Sequence, residues 1–127
     1  MRKNISSGAK WESIAGYSRA VRVGNVIEVS GTVAFDGSKV VGNGDPYLQT
    51  KFILRKIEAA LKDAEVSIND VVRTRIYVKD ISKWSEVAKA HQEIFGDIKP
   101  ATSMVEVSAL ISPEYLVEIE ATAVIDN

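Results

Sequence analysis

Cysteine is absent from these 127 residues, and histidine occurs once. Without cysteine there is no disulfide framework, thiolate zinc site, iron–sulfur cluster or thiol nucleophile. One histidine leaves only carboxylates to hold a metal, and no dense Asp/Glu cluster has ligand spacing, so no metal is expected. No apolar run approaches the ~18 residues of a membrane span. Met1–Gly8 lacks the apolar core of a signal peptide. The expectation is a soluble, cytoplasmic chain with no membrane partner. Charge of one sign is lacking too. Sixteen Lys+Arg face 17 Asp+Glu, a net −1 that gives no general attraction to nucleic acid. No nucleophile-elbow motif supports a Ser/His/Asp triad, and Gly42-Asn43-Gly44 lacks the Lys-Ser/Thr of a phosphate loop.

What is present reads as an ordinary globular chain. The apolar fraction is 46% and the charged fraction 26%, enough to bury a core and exclude disorder. The length and the lack of a linker, repeat or charge block predict one domain over residues 1–127.

The pattern predicts strands, a helix, a strand, a helix and two strands. Val26–Thr32 is β-rich and follows the turn signal Gly24-Asn25, so Val21–Val23 is placed to pair with it. Asp36-Gly37 predicts a second hairpin between residues 32–35 and 39–41. Asp45-Pro46 predicts a helix start, with a stripe at Ile53, Ile57, Ala60, Leu61 and Ala64. A second helix runs from about Ser82 to Phe95. Trp84, Val87, Ala88, His91, Ile94 and Phe95 lie on its inner side, and Gly96 suits its C-terminal cap. Strands are expected at 71–78, 102–110 and 116–125, the last two joined by a turn at Ser112-Pro113-Glu114.

Alternation splits the strands into two faces. Val117, Ile119, Ala121 and Ala123 form an apolar face, as do Val72, Thr74, Ile76 and Val78, with Val105 and Val107 assigned to the same side. The second face is expected to carry Glu28, Arg73, Arg75, Tyr77, Met104, Glu106, Glu118 and Glu120. Such a face is either solvated, which antiparallel sheets tolerate, or an interface in which Arg and Glu pair between subunits.

Gly16-Tyr17-Ser18-Arg19-Ala20-Val21, Gly24–Thr32, Val72–Asp80, Lys99–Val107 and Val117–Ala121 together resemble the motifs of the RidA family, also called YjgF or L-PSP endoribonuclease. The resemblance spans nearly the whole chain. It implies an α+β fold: a chorismate-mutase-like, ferredoxin-like mixed β-sheet with two helices packed on one face. It also implies a homotrimer with sheets facing inward and ligand clefts between subunits. Deaminating members hydrolyse enamines and imines such as 2-aminoacrylate, with no metal or organic cofactor.

Carried over by position, Tyr17, Ser30, Gly31 and Glu120 match the family, and Glu120 is the residue placed to act on water. The Arg that follows the Pro-Ala pair in deaminating members is Thr102 here. One hydroxyl does not replace a bidentate guanidinium, and the loss costs about 1.5–3 kcal/mol. Met104 stands for a Cys of the family and Ala88 for an Asn. His91 replaces an aromatic residue, with Trp84 about two turns before it. His91 reads either as a packed side chain or as a site group. Arg75 and Arg19 are the candidates for a relocated cation; alternatively Arg75 pairs with Glu118 or Glu120 across the sheet.

The catalytic candidates are therefore Glu120, Tyr17 and Thr102. The ligand-binding candidates are Ser30, Gly31, Arg19, Arg75, Trp84, Ala88, His91 and Met104. The expected partner is a small, carboxylate-bearing molecule. Three readings follow: a deaminase-type hydrolase on a non-standard substrate, a non-catalytic metabolite-sensing trimer, and an endoribonuclease or translation inhibitor. Neutral charge and the lack of paired aromatics on adjacent strands argue against RNA.

Overall fold

A computed structural model describes residues 1–126. Helix α2 (Pro46–Asp63) begins where Asp45-Pro46 predicts it. The Asp45 side chain accepts from the Leu48 N–H at 3.1 Å, and Pro46 takes the first helical position, where its missing N–H costs nothing. Its stripe Ile53, Leu54, Ile57, Ala60 and Leu61 is buried against the sheet and forms the centre of the core. Helix α3 (Trp84–Phe95) follows a single 3₁₀ turn, Ile81–Lys83, whose Ser82 N–H donates to the Asp80 carboxylate at 3.0 Å. Both long helices pack on one sheet face. No helix among the described residues is long and apolar enough to cross a membrane.

The sheet has six strands in the order β1-β2-β3-β6-β4-β5. They are β1 (Arg2–Ile5), β2 (Ala20–Val23), β3 (Val26–Thr32), β4 (Val71–Val78), β5 (Ala101–Glu106) and β6 (Val117–Val124). Only β4 and β5 run parallel, so the sheet is mixed. The hairpin β2–β3 turns at Gly24-Asn25 as expected.

Several details differ from the sequence pattern. Strand β1 and the short helix α1 (Lys10–Ala15) carry no periodic signal. β1 offers one buried side chain, Ile5, and α1 is closed within two turns by Gly16 in the left-handed conformation at φ 78°. The Asp36-Gly37 hairpin shrinks to one bridge, Phe35 to Val40, because the Asp36 carboxylate takes the Ser38 and Lys39 N–H groups itself. Gly96 does not provide a left-handed cap. It stays helical, the turn continues, and Lys99 is the residue with φ 54°. Val72 is exposed rather than inward, because the β4–β6 register shifts between Val71 and Arg73.

The main correction is the face of β5. Its register pairs Thr102 with Thr74 and Met104 with Ile76, both helix-side residues. Thr102 and Met104 therefore stand beneath α3, and Val105 lies on the second face, 46% exposed. Glu106 is also on the helix side, accepting from the Ile81 N–H at 3.0 Å. β5 is an edge strand with little hydrophobic contrast between its sides, so its pairing with β4 sets its orientation and alternation does not.

Candidate functional site

The second sheet face has Arg75 opposite Glu120 and Tyr77 opposite Glu118. The Tyr77 hydroxyl donates to Glu120 Oε1 at 2.9 Å, and Arg75 Nε lies 3.8 Å from the same oxygen. Arg75 is thus a cross-strand partner of Glu120. The hydrogen bond to that carboxylate, with burial behind it, pushes the Tyr77 phenol above its ordinary value.

A second cluster lies beneath α3. His91, Ala88, Thr102 and Met104 line an apolar groove of about 490 Å³ together with Ile76 and Phe95. The Thr74 hydroxyl donates to the Thr102 hydroxyl at 2.6 Å and lies 2.9 Å from His91 Nε2. With Thr74 donating to Thr102, neutral His91 must donate from Nε2. The His91 ring packs against Phe95, tilted by 41° with the ring centroids 4.6 Å apart. Trp84 is 57% exposed and lies outside the groove, which corrects its expected inward orientation. It opens α3 directly after the 3₁₀ turn, before the helix has turned its stripe inward.

Burial pushes the His91 imidazole below its usual range. The unfolded chain then binds more protons than the folded one below about pH 6.5, so stability falls on acidification through that value. Glu118 works in the other direction. Burial and then the charge of Glu120 raise its carboxyl, partly offset by Arg19, so acidification relieves it. His91→Gln, which stays neutral and able to bond Thr74, is expected to flatten the fall in Tm between pH 7.5 and 5.5. Melting curves at both pH values test this; an unchanged fall would contradict it.

The third cluster is at the end of β3, where the chain leaves the sheet. Tyr17, Arg19 and Gly31 meet there around a cavity of about 280 Å³, with Trp11, Lys56 and Glu118. Arg19 is only 9% exposed. Its Nη2 donates to the Gly31 carbonyl at 2.8 Å, its guanidinium lies 5.7 Å from the Tyr17 ring centroid, and its buried Nε has no partner. Gly31 gives the Glu118 carboxyl its place: a Cβ there would overlap it and oblige that side chain to shift. Lys56 Nζ donates to the Phe35 carbonyl at 2.8 Å and to Val33 at 3.3 Å. Burial, then the charge of Arg19, pushes the Lys56 ammonium down, with Asp36 opposing. Ser30 lies in the neighbouring depression, which it shares with Tyr17, and its hydroxyl donates to the Ser18 carbonyl at 2.7 Å.

Trp84 apart, the predicted residues therefore fall into three groups rather than one. Tyr17, Arg19 and Gly31 share a cavity, with Ser30 beside them. Thr102, Ala88, His91 and Met104 share the groove, and Arg75 pairs with Glu120. Sequence reading did not find Lys56 or Trp11. A lysine flanking a helical stripe reads as solvated, and Trp11 sits in a helix too short to show a period.

The model for the family described as endoribonuclease L-PSP matches residues 8–125. The crystal structure of Rv2704 from Mycobacterium tuberculosis, described as a member of the YjgF/YER057c/UK114 family, is 52% identical, with a TM-score of 0.89 over 98% of this chain and 100% of that one. A RutC family protein of Pyrococcus abyssi is 40% identical over 87% of each chain. A protein of Acinetobacter baylyi named 3-aminoacrylate deaminase RutC is 32% identical, again over 87% of each. With the family model spanning nearly the whole length and the fold superposing on solved members, the chain belongs to the RidA/YjgF family, the endoribonuclease L-PSP family of the matching model.

Proposed function

We propose that this chain forms a homotrimer through its second sheet face, binds small carboxylate-bearing metabolites in clefts between subunits, and anchors them on Arg19. The observation that carries this reading is the state of the three candidate anchors. The Thr102 hydroxyl is tied to Thr74 and carries no charge. Arg75 is paired with Glu120. Arg19 alone is buried with an unpartnered N–H at a cavity. A buried guanidinium short of acceptors favours an anionic ligand, because an unmade bond to a charged group is costly. Imine or enamine hydrolysis, which the family resemblance implies and which accords with an Acinetobacter baylyi relative named as a 3-aminoacrylate deaminase, comes to this chain with a different substrate, since the carboxylate anchor has moved.

A second reading has its own support. Glu120, the residue placed to act on water, already accepts from Tyr77 and faces Arg75. That engagement favours binding without turnover, as in a metabolite-sensing trimer.

Calorimetric titration with acetate and pyruvate tests the anchor, alongside sedimentation to establish the trimer. Arg19→Gln is expected to weaken binding at least about tenfold, the loss of one charge-assisted contact. Arg75→Ala should change Kd less than about threefold, since an exposed pair contributes little. An unchanged Kd in Arg19→Gln, or a lone protomer in dilute buffer, would overturn the proposal.

A further inference from the structure

The cavity around Arg19 has more chemistry than a simple anion hole. Neither of its two cations is held in a close ion pair, although the charges of Glu118 and Glu12 act on Arg19 and that of Asp36 on Lys56 from farther off. The ion pairs among the described residues are Lys3–Glu65, Lys51–Glu93, Arg75–Glu120 and Lys83–Glu86, and neither Arg19 nor Lys56 takes part. An ammonium has three donors, and Lys56 spends two on the Val33 and Phe35 carbonyls, so one remains. Arg19 spends one N–H on Gly31 and leaves Nε unmet. Two like charges held near each other with spare donors are a strained arrangement that one carboxylate, with an oxygen for each, would relieve.

Much of the rest of the wall is aromatic. Trp11, Tyr17, Phe35 and Tyr115 line the cavity, and Trp11 and Tyr17 remain 43% and 40% exposed. Exposed aromatic rings at the mouth of a cationic cavity offer stacking faces to a planar ligand. At about 280 Å³ the space suits a single ring with its substituents. Glu118 lies against Gly31 on another part of the wall. A ligand carboxylate would be repelled there. A ring amine or hydroxyl would be welcomed, because an ionised carboxylate only accepts hydrogen bonds.

We propose that this cavity binds a one-ring aromatic carboxylate carrying an amine or hydroxyl across the ring, with the carboxylate between Arg19 and Lys56 and the ring substituent on Glu118. This assignment rests on the reading of Arg19 as the anion anchor and names the ligand class that the anchor serves.

Titration with 4-aminobenzoate, acetate and aniline tests it on the full chain. The expected order has 4-aminobenzoate at least about tenfold tighter than either fragment. Lys56→Gln should weaken 4-aminobenzoate about tenfold, Lys56→Arg should restore most of it, and Trp11→Leu should weaken it several-fold while leaving acetate unchanged. Melting curves establish that each variant folds. Should acetate and 4-aminobenzoate bind equally well, both through Arg19, the aromatic class is overturned and the anion anchor stands. Should 4-aminobenzoate bind undiminished in both Arg19→Gln and Lys56→Gln, the cavity is the wrong site. Should no carboxylate bind at millimolar concentration, both readings fall together.

Discussion

Phe95→Ala is expected to destabilise the fold by about 3–5 kcal/mol, the usual cost of emptying a large buried aromatic site. Phe95 is 2% exposed at the end of α3 and is the largest fully buried side chain. Its ring packs at a tilt against His91, centroids 4.6 Å apart, and forms part of the groove wall above β4 and β5. Its carbonyl receives the N–H groups of Ile98 at 3.0 Å and Lys99 at 2.8 Å, main-chain bonds that alanine retains, so the substitution reads the ring itself. A cavity there has few ways to collapse, because the sheet below is fixed by its ladders and Gly96 follows with no side chain to fill the space. Against a total stability of about 5–15 kcal/mol, the loss is a fifth or more, and Tm should fall by roughly 10–20 °C. Phe95→Leu keeps part of the volume and should cost less than half as much. Chemical denaturation of the three proteins decides it, and a cost below about 1 kcal/mol would show that α3 is not locked by this ring.

Phe95 was legible in the sequence, and the reason is instructive. It lies on a helix with clear periodicity, and the same holds for Ile53, Ile57 and Leu61 on α2. Central strands were also legible, because β6 alternates between Val117, Ile119, Ala121 and Ala123 on one side and Glu118, Glu120 and Thr122 on the other. The face of β5 was not. Its side chains differ little in hydrophobicity, so pairing with β4 decides which of them see α3, and a one-residue choice moves Met104 from the second face to the groove. The site followed the same rule. Tyr17, Arg19 and Gly31 are near in the β2–β3 region and could be grouped from motif and register. Lys56 and Trp11 reach the same cavity from separate helices, a meeting that no local pattern encodes.

The buried glutamine of α2 marks the other limit of pattern reading. Gln49 is fully buried, and its polar atoms are all in use. Nε2 donates to the Glu114 carbonyl at 3.0 Å and the Gly42 carbonyl at 3.3 Å, while Oε1 accepts from the Leu116 N–H at 2.9 Å. One side chain thus serves three backbone groups in the connections that precede α2 and β6. Gln49→Leu preserves size but leaves the Glu114 carbonyl and the Leu116 N–H without partners, while the Gly42 carbonyl keeps the Asp45 N–H, at about 1–3 kcal/mol for each group that stays dry. A total loss of about 2 kcal/mol or more is expected in denaturant melts. The same connection supplies Tyr115 and Ile111 to the cavity around Arg19. Gln49→Leu should therefore weaken carboxylate binding under conditions where the variant is still folded. Phe95→Ala, of similar cost but beneath α3, should leave the affinity of the folded fraction unchanged. Equal effects of the two substitutions on affinity would mean that global loosening, rather than the hold of Gln49 on the 111–116 segment, governs the site.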